Sequence, residues 1–191
     1  MAHIILAILW VLYGVLHSLL ATSWVKRVFG HSRYYTFMYS VFATLSLAAI
    51  LVYQLSIPPI SLWIMPLWAQ LLLLLPLLAG LFIMAALIKK YFFALSGISA
   101  FYKNQAPVKL ELDGWHRYVR HPLYAGTLLF IWSLFFIFPL LSNLIACTII
   151  TLYTLAGTVL EEKKLVAQFG EAYSHYQQRV PMLIPSFRRT Y

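Results

Sequence analysis

The chain is a succession of long apolar stretches interrupted by short polar ones. A membrane-crossing helix needs roughly 20 apolar residues. About five stretches are candidates: His3 to Ala21, Thr36 to Leu55, Leu67 to Ile88, Tyr124 to Phe138 and Ser142 to Leu160. Only Pro139-Leu140-Leu141 separates the last two, so they predict a tight helical hairpin. The first has no basic run before it and no convincing small-x-small cleavage site after it, so it is expected to be a helix rather than a cleaved signal.

The polar residues between these stretches predict an orientation. Every Lys and Arg falls within Lys26 to Arg33, Lys89 to Arg120 or Lys163 to Arg189, and none falls within Ile57 to Pro66 or Pro139 to Leu141. The positive-inside rule then puts the N-terminus outside and the first loop, the third loop and the C-terminal tail in the cytoplasm. That requires an odd number of spans, which five satisfies. Glu111, Asp113, Glu161, Glu162 and Glu171 lie on the same side, so polar chemistry is confined to the cytoplasmic face.

Composition agrees. Of 191 residues, 62% are hydrophobic and 10% charged, with a mean hydropathy of +0.82, values that exclude an ordinary soluble domain. The expected fold is an all-α, multi-pass integral membrane bundle. It divides into a three-helix membrane region, 1–88, and a region with the polar chemistry, 89–191, within one structural domain. The net charge of +9 fits anionic lipid headgroups. Without a soluble domain or an aromatic-basic recognition module, nucleic acid is not an expected partner. Cys147 stands alone inside an apolar stretch and reads as a packing residue.

The third loop is too long for a turn. Lys89-Lys90-Tyr91-Phe92-Phe93 reads as interfacial, Ser96-Gly97 as a helix break, and Val108 to Leu112 as a short strand before an Asp113-Gly114 turn. The densest chemistry follows in Arg120-His121-Pro122-Leu123-Tyr124-Ala125-Gly126. Pro122 suits the first turn of a helix, and the free amides of that turn make a local anion site beside Arg120 and His121. Two hairpin arms of about 20 to 30 Å return the chain to its starting level, which brings Glu161 and Glu162 beside His121, with Arg117 and Arg120 as partners. A snorkelling ion-pair collar and a ligand site explain these charges equally well. Beyond them, Leu165, Val166 and Phe169 continue an amphipathic helix that Gly170 stops, and Tyr173, Tyr176 and Arg179 to Pro185 follow.

The remaining histidines fall into two groups. His17 lies within the first apolar stretch, where a hydrogen bond to a neighbouring helix is the preferred explanation. His3, His31, His116 and His175 have no metal-ligand spacing, and no metal is expected.

The run Gly114-x-x-x-Tyr118-Val119-Arg120-His121-Pro122-Leu123-Tyr124-x-Gly126, a hairpin, then Glu161-Glu162-x-x-Leu165-x-x-x-Phe169-Gly170-x-x-Tyr173-x-x-Tyr176 and Arg179-Val180-Pro181, resembles the signature of the isoprenylcysteine carboxyl methyltransferase family of membrane enzymes. The resemblance covers Lys89 to Pro185. Leu16-His17-Ser18-Leu19-Leu20-Ala21 more loosely resembles the bacterial branch of small membrane methyltransferases that includes methanethiol S-methyltransferases.

The resemblance implies S-adenosyl-L-methionine as cofactor, a site on the cytoplasmic side of a bacterial inner membrane, and a small thiol or lipophilic methyl acceptor. It implies cofactor-binding roles for Tyr118, His121, Pro122, Leu123, Tyr124, Gly126, Glu161, Glu162 and Tyr173, and catalytic roles for Lys89, Arg120 and Glu161. Lys89 stands where the carboxyl methyltransferases have an arginine, so the acceptor carboxylate loses its bidentate partner. Membrane sterol reductases share the Arg-His-Pro-x-Tyr element and use NADPH, but they typically have asparagine at the position of Leu123. A membrane scaffold without catalysis is the remaining alternative.

Overall fold

In lipid every backbone amide must find its partner within the protein, and the apolar stretches accordingly become helices. The structure is a computed structural model that describes residues 1–28, 34–96 and 110–185. Its helices are α1 (Ala2–Ala21), α2 (Ser23–Val28), α3 (Tyr35–Ser56), α4 (Leu67–Ser96), α5 (Pro122–Ile137), α6 (Leu141–Phe169) and α7 (Glu171–Arg179), with a 3₁₀ turn at Gly114–Arg117. The protein is an all-α membrane helical bundle. The described residues form no strand, and one isolated bridge joins Ser61 to Leu140.

Four helices, α1, α3, α4 and α6, are long and apolar enough to cross a membrane. The expected fifth span is a shorter apolar helix of 16 residues, about 24 Å against a hydrocarbon core of about 30 Å. Prolines set both limits. Pro122 occupies the first turn of α5, and Pro139 drives Phe138 out of the helical region to φ −119° and ψ 82°. Elsewhere the structure extends or removes predicted elements. α4 continues through Lys89 to Ser96, past the expected junction between the two regions. Leu110 to Leu112 are irregular, so no strand forms there, and Val108 and Lys109 lie outside the described residues.

Packing brings the helices together at both ends. Leu6 and Trp10 of α1, Ile50 of α3 and Ala146 of α6 form one buried cluster with Ile57. A polar chain runs beside it from Trp10 Nε1 to Gln54 (3.1 Å) and from Gln54 to Asn143 (2.9 Å), joining three helices. The α5–α6 turn is pinned to the preceding loop by Leu62 N–H to Pro139 O (2.8 Å) and Leu141 N–H to Ile60 O (2.9 Å). The other end of the hairpin carries the polar chemistry. α6, with 29 residues, is about 43 Å long, so its segment from Glu161 onward outruns the apolar layer.

α4 and α5 touch through glycine. A Cβ on Gly80 would stand 2.8 Å from the Gly126 carbonyl oxygen and 2.8 Å from the Phe130 amide nitrogen. These are backbone atoms that cannot step aside. In contrast, a Cβ on Gly157 of α6 meets nothing within 4 Å. Gly80→Ala is therefore expected to lower stability by about 1–3 kcal/mol through overpacking, whereas Gly157→Ala should raise it by about 0.5–1 kcal/mol through helix entropy. Unfolding titrations in mixed micelles read both, and equal shifts would contradict this packing.

Candidate functional site

The carboxylate of Glu162 is the hub of the polar end. It comes from the last third of α6, it is 13% exposed, and it is surrounded by donors. Arg120 Nε reaches it at 2.6 Å, His121 Nε2 at 3.1 Å, Gln177 Nε2 at 3.0 Å and the Tyr173 hydroxyl at 3.5 Å. A buried carboxylate has room for about four such partners and is costly without them.

Arg120 distributes the same connection further. Its guanidinium is 10% exposed, and Nη1 donates to the Gln177 carbonyl at 2.9 Å and to the Val180 carbonyl. Those carbonyls close the C-terminal end of α7, where a cation also complements the helix dipole. The backbone adds a two-rung strap, from Arg120 N–H to Pro181 O (2.9 Å) and from His121 N–H to Met182 O (3.1 Å). The guanidinium is committed to one carboxylate and two carbonyls. It positions α7 and its tail on the start of α5.

Gly170 makes the turn between α6 and α7 at φ +58° and ψ −132°, a conformation that side chains strongly disfavour. α7 then buries Tyr173 and Tyr176. Burial and the neighbouring Glu162 push the Tyr173 hydroxyl up to about 12, so it remains a donor at neutral pH. Tyr176 is raised too, mainly by burial, and its hydroxyl donates to the His116 carbonyl at 2.7 Å. His116 Nδ1 lies 3.1 Å from the Arg120 carbonyl and Nε2 lies 3.4 Å from the Tyr91 hydroxyl, which assigns the proton to Nδ1.

One residue away, Glu161 does something different. Its carboxylate is 44% exposed and accepts a hydrogen bond from the Tyr124 hydroxyl at 2.9 Å. His121 Nδ1 is 3.8 Å from the same oxygen. The His121 and Tyr124 rings stack at 5.6 Å with 12° between their planes. Together these groups form one wall of a cavity of about 320 Å³, which also takes in Leu87 and Tyr91 of α4, Pro122 and Leu123 of α5, and Tyr173 of α7. Cavities that hold small ligands run from about 300 to 1,000 Å³, mostly apolar with a few convergent polar groups. This one fits that description.

The sequence-predicted residues thus divide into three sets. His121, Pro122, Leu123, Tyr124, Glu161 and Tyr173 are brought together on the cavity wall, and Arg120 lines it as well. Glu162 sits behind it as the clamp. Tyr118, Gly126 and Lys89 are not on the wall. Tyr118 is 47% exposed, Gly126 faces Gly80 and Ile83 of α4, and Lys89 is exposed on α4 while the neighbouring Lys90 pairs with Glu111 at 2.8 Å. Gln177 and His116 have site-building roles that sequence reasoning missed. The signal for Gln177 was its position one helical turn after Tyr173, on the face that meets α6.

A family model described as NnrU protein matches residues 5–188. The chain belongs to that family. A stretch of 85 residues, 44% of the chain, is 41% identical to a methanethiol S-methyltransferase of Crocosphaera subtropica and takes in 32% of that protein. Another of the same name from Pseudomonas deceptionensis is 45% identical over 39% of the chain and 28% of its own length. A protein-S-isoprenylcysteine O-methyltransferase of Schizosaccharomyces pombe is 35% identical over 40% of the chain and 33% of its own length. The chain thus matches about a third or less of each of these relatives. No solved structure matches.

Two measurements test this geometry. Removing one partner of a buried ion pair strands the other, at a cost of about 3–5 kcal/mol. Arg120→Gln and Glu162→Gln should each lose about that much, and the double variant far less than their sum, in a double-mutant cycle read by unfolding. The second test concerns pH. Burial pushes His116 below the usual histidine value, against the opposing pull of the Arg120 carbonyl and Glu111. The unfolded chain therefore takes up this proton first, so the stability from neutral His116 is full above about pH 6.5 and falls as pH drops below it. The thermal midpoint should fall between about pH 7.5 and about pH 5.5, and His116→Gln should flatten that slope.

Proposed function

We propose that the protein is a membrane S-adenosylmethionine-dependent methyltransferase that acts on a small thiol or lipophilic acceptor. The observation that carries the reading is the α5–α6 cavity, where a stacked His121–Tyr124 pair and a half-exposed Glu161 converge beside first-turn amides. Such a set suits a ligand with an aromatic base, a cationic amino group and a carboxylate. The methyltransferase names of the relatives support the same reading. When bound, S-adenosylmethionine supplies a methyl group already activated on a sulfonium, so neither a metal nor a nucleophile triad is needed.

The roles of the residues follow from their placement. Glu161 accepts from the ligand's amino group, and Tyr124, held by Glu161, offers a face for the adenine. Pro122 leaves the α5 amides open to the carboxylate, and Leu123 and Tyr173 exclude water. Arg120 and Glu162 hold these walls in register. Lys89 is left as a candidate for headgroup contact rather than for chemistry. In this reading the site and the basic helix ends face the cytoplasm, where anionic lipids attract them.

S-adenosylhomocysteine should raise the thermal midpoint of the purified protein, and Glu161→Gln should abolish the shift while the unliganded midpoint stays within about a degree of wild type. His121→Ala should also abolish it. Tritiated S-adenosylmethionine binding, challenged with NADPH, provides the opposing test. Binding of NADPH without binding of S-adenosylmethionine would place the protein with the reductases and overturn the proposal.

A further inference from the structure

The methyl-donor reading commits only part of the cavity at the polar end. His121, Tyr124 and Glu161 come from the mouth of α5, from α5 itself and from α6. Leu87 and Tyr91 of α4, with Leu110, Glu111 and His116 of the segment before α5, line the same space. This second group is apolar except for Tyr91, Glu111 and His116, and Glu111 is paired with Lys90 at 2.8 Å.

His116 is held as an oriented base. Its backbone carbonyl accepts from the Tyr176 hydroxyl at 2.7 Å, and Nδ1, which carries the proton, donates to the Arg120 carbonyl at 3.1 Å. Next to it, Trp115 meets the Phe82 ring of α4 edge to face at 6.5 Å. The turn is thereby fixed to α4 and α7 together. The Nε2 lone pair accepts from the Tyr91 hydroxyl, 3.4 Å away. A hydroxyl has one proton and two lone pairs, so with its proton directed at Nε2 the Tyr91 oxygen is an acceptor on the cavity wall. A base whose other nitrogen is oriented by a third group is the arrangement that activates nucleophiles. Burial holds His116 below the usual histidine value, against the Arg120 carbonyl and Glu111 and together with Lys90 and His121. It is therefore neutral at pH 7 and able to take a proton.

We infer that Tyr91 and His116 form a proton relay for the methyl acceptor, which is therefore a group that arrives protonated, a thiol rather than a carboxylate. The relay rests on the methyltransferase reading. The S–H proton passes to the Tyr91 oxygen as the Tyr91 proton passes to His116 Nε2, leaving a thiolate and an imidazolium whose Nδ1–H stays on the Arg120 carbonyl. The thiolate sulfur then bonds to the methyl carbon, the sulfonium C–S bond breaks, and its electron pair stays on the methyl donor's sulfur. The imidazolium afterwards returns its proton to solvent. At pH 7 an unassisted thiol is mostly protonated, which gives the base its task. A carboxylate is already ionised and needs a cation instead. Among the described lining residues the full cation is Arg120, and it is committed to Glu162 and two carbonyls. Glu111 and Glu161 would repel such an anion. Leu87 and Leu110 suit the apolar body of a thiol.

The test uses full-length protein in nanodiscs and two probes, ethanethiol and the more acidic thiophenol. With tritiated S-adenosylmethionine, His116→Gln and Tyr91→Phe should each lower kcat/KM for ethanethiol at pH 7 by about 10²- to 10⁴-fold, and the double variant should lose no more than either alone. Thiophenol, which ionises readily without help, should lose far less. Wild-type kcat/KM should rise as His116 loses its proton below about pH 6.5 and then level off, whereas in His116→Gln it should climb on toward the thiol's own ionisation. A binding readout needs no turnover. In the S-adenosylhomocysteine complex, the thiolate ultraviolet band of thiophenol should appear at lower pH in the wild type than in either variant. The thermal shift with S-adenosylhomocysteine should persist in both variants, which shows that they are folded. Equal losses for the two thiols, a thiolate band at one pH in all three proteins, or undiminished ethanethiol turnover in either variant would overturn the relay. Binding of S-adenosylhomocysteine with no labelled product from either thiol also overturns it and spares the methyl-donor site. No shift with S-adenosylhomocysteine in the wild type rejects the methyltransferase reading, and the relay with it.

Discussion

The arrangement at the polar end depends on the buried ion pair between Glu162 of α6 and Arg120 at the mouth of α5. A carboxylate and a guanidinium removed from water lose several kcal/mol of solvation each, and their mutual attraction offsets this only when the geometry is close and every remaining hydrogen-bonding position is filled. Here the separation is 2.6 Å, and His121, Gln177 and two carbonyls of the α7 segment supply the rest. Such a pair adds little net stability compared with a well-packed apolar contact. Its effect is on geometry, because a carboxylate with this many partners has one arrangement that satisfies them all. Three chain segments distant in sequence are thereby fixed at one point.

The adjacent carboxylate has another duty because of helix geometry. Successive residues on an α-helix are turned by about 100°, so Glu161 and Glu162 cannot face the same neighbours. Glu162 turns inward to the clamp, and Glu161 turns to the cavity, where Tyr124 holds it and solvent still reaches it. His121 sits between them, with Nε2 toward Glu162 and Nδ1 toward Glu161. A single imidazole thus stands between the clamp, to which it is bonded at 3.1 Å, and the cavity wall. The clamp supports the wall without occupying it.

Much of this was legible in the chain, and the reasons differ from residue to residue. The meeting of Glu161 with His121 follows from hairpin arithmetic, since two antiparallel arms joined by three residues must return to one level. Pro122 and Gly170 announce the limits of α5 and α6 through backbone chemistry alone. What escaped was whatever depends on side-chain direction across elements. Gly126 is as consistent with a ligand against its helix as with Gly80 of α4, and only the packed structure brings the two glycines together. Arg120 reads as a partner for the glutamate pair, and it is one for Glu162, but its bonds to the carbonyls of α7 depend on where that helix packs. Lys89 sits beside Lys90 on a helix that continues past the predicted membrane boundary, so its placement depends on a helix face that composition does not define.

The membrane itself supplies the last constraint. At the polar end water reaches the half-exposed Glu161, while His121 and Tyr173 beside it are buried. Deeper in the bundle there is no water to compete, and the same residue type behaves differently. A histidine there must be matched by a protein partner or by a ligand brought in through lipid. Tyr39 supplies the protein partner, with its hydroxyl 3.0 Å from both ring nitrogens of His17, and the rings of Tyr13 and Tyr153 pack beside it. His121 is bonded to Glu162 through Nε2 and stacked on Tyr124, suited to holding a wall. The same side chain thus ties helix to helix in the apolar layer and helix to carboxylate at the polar end.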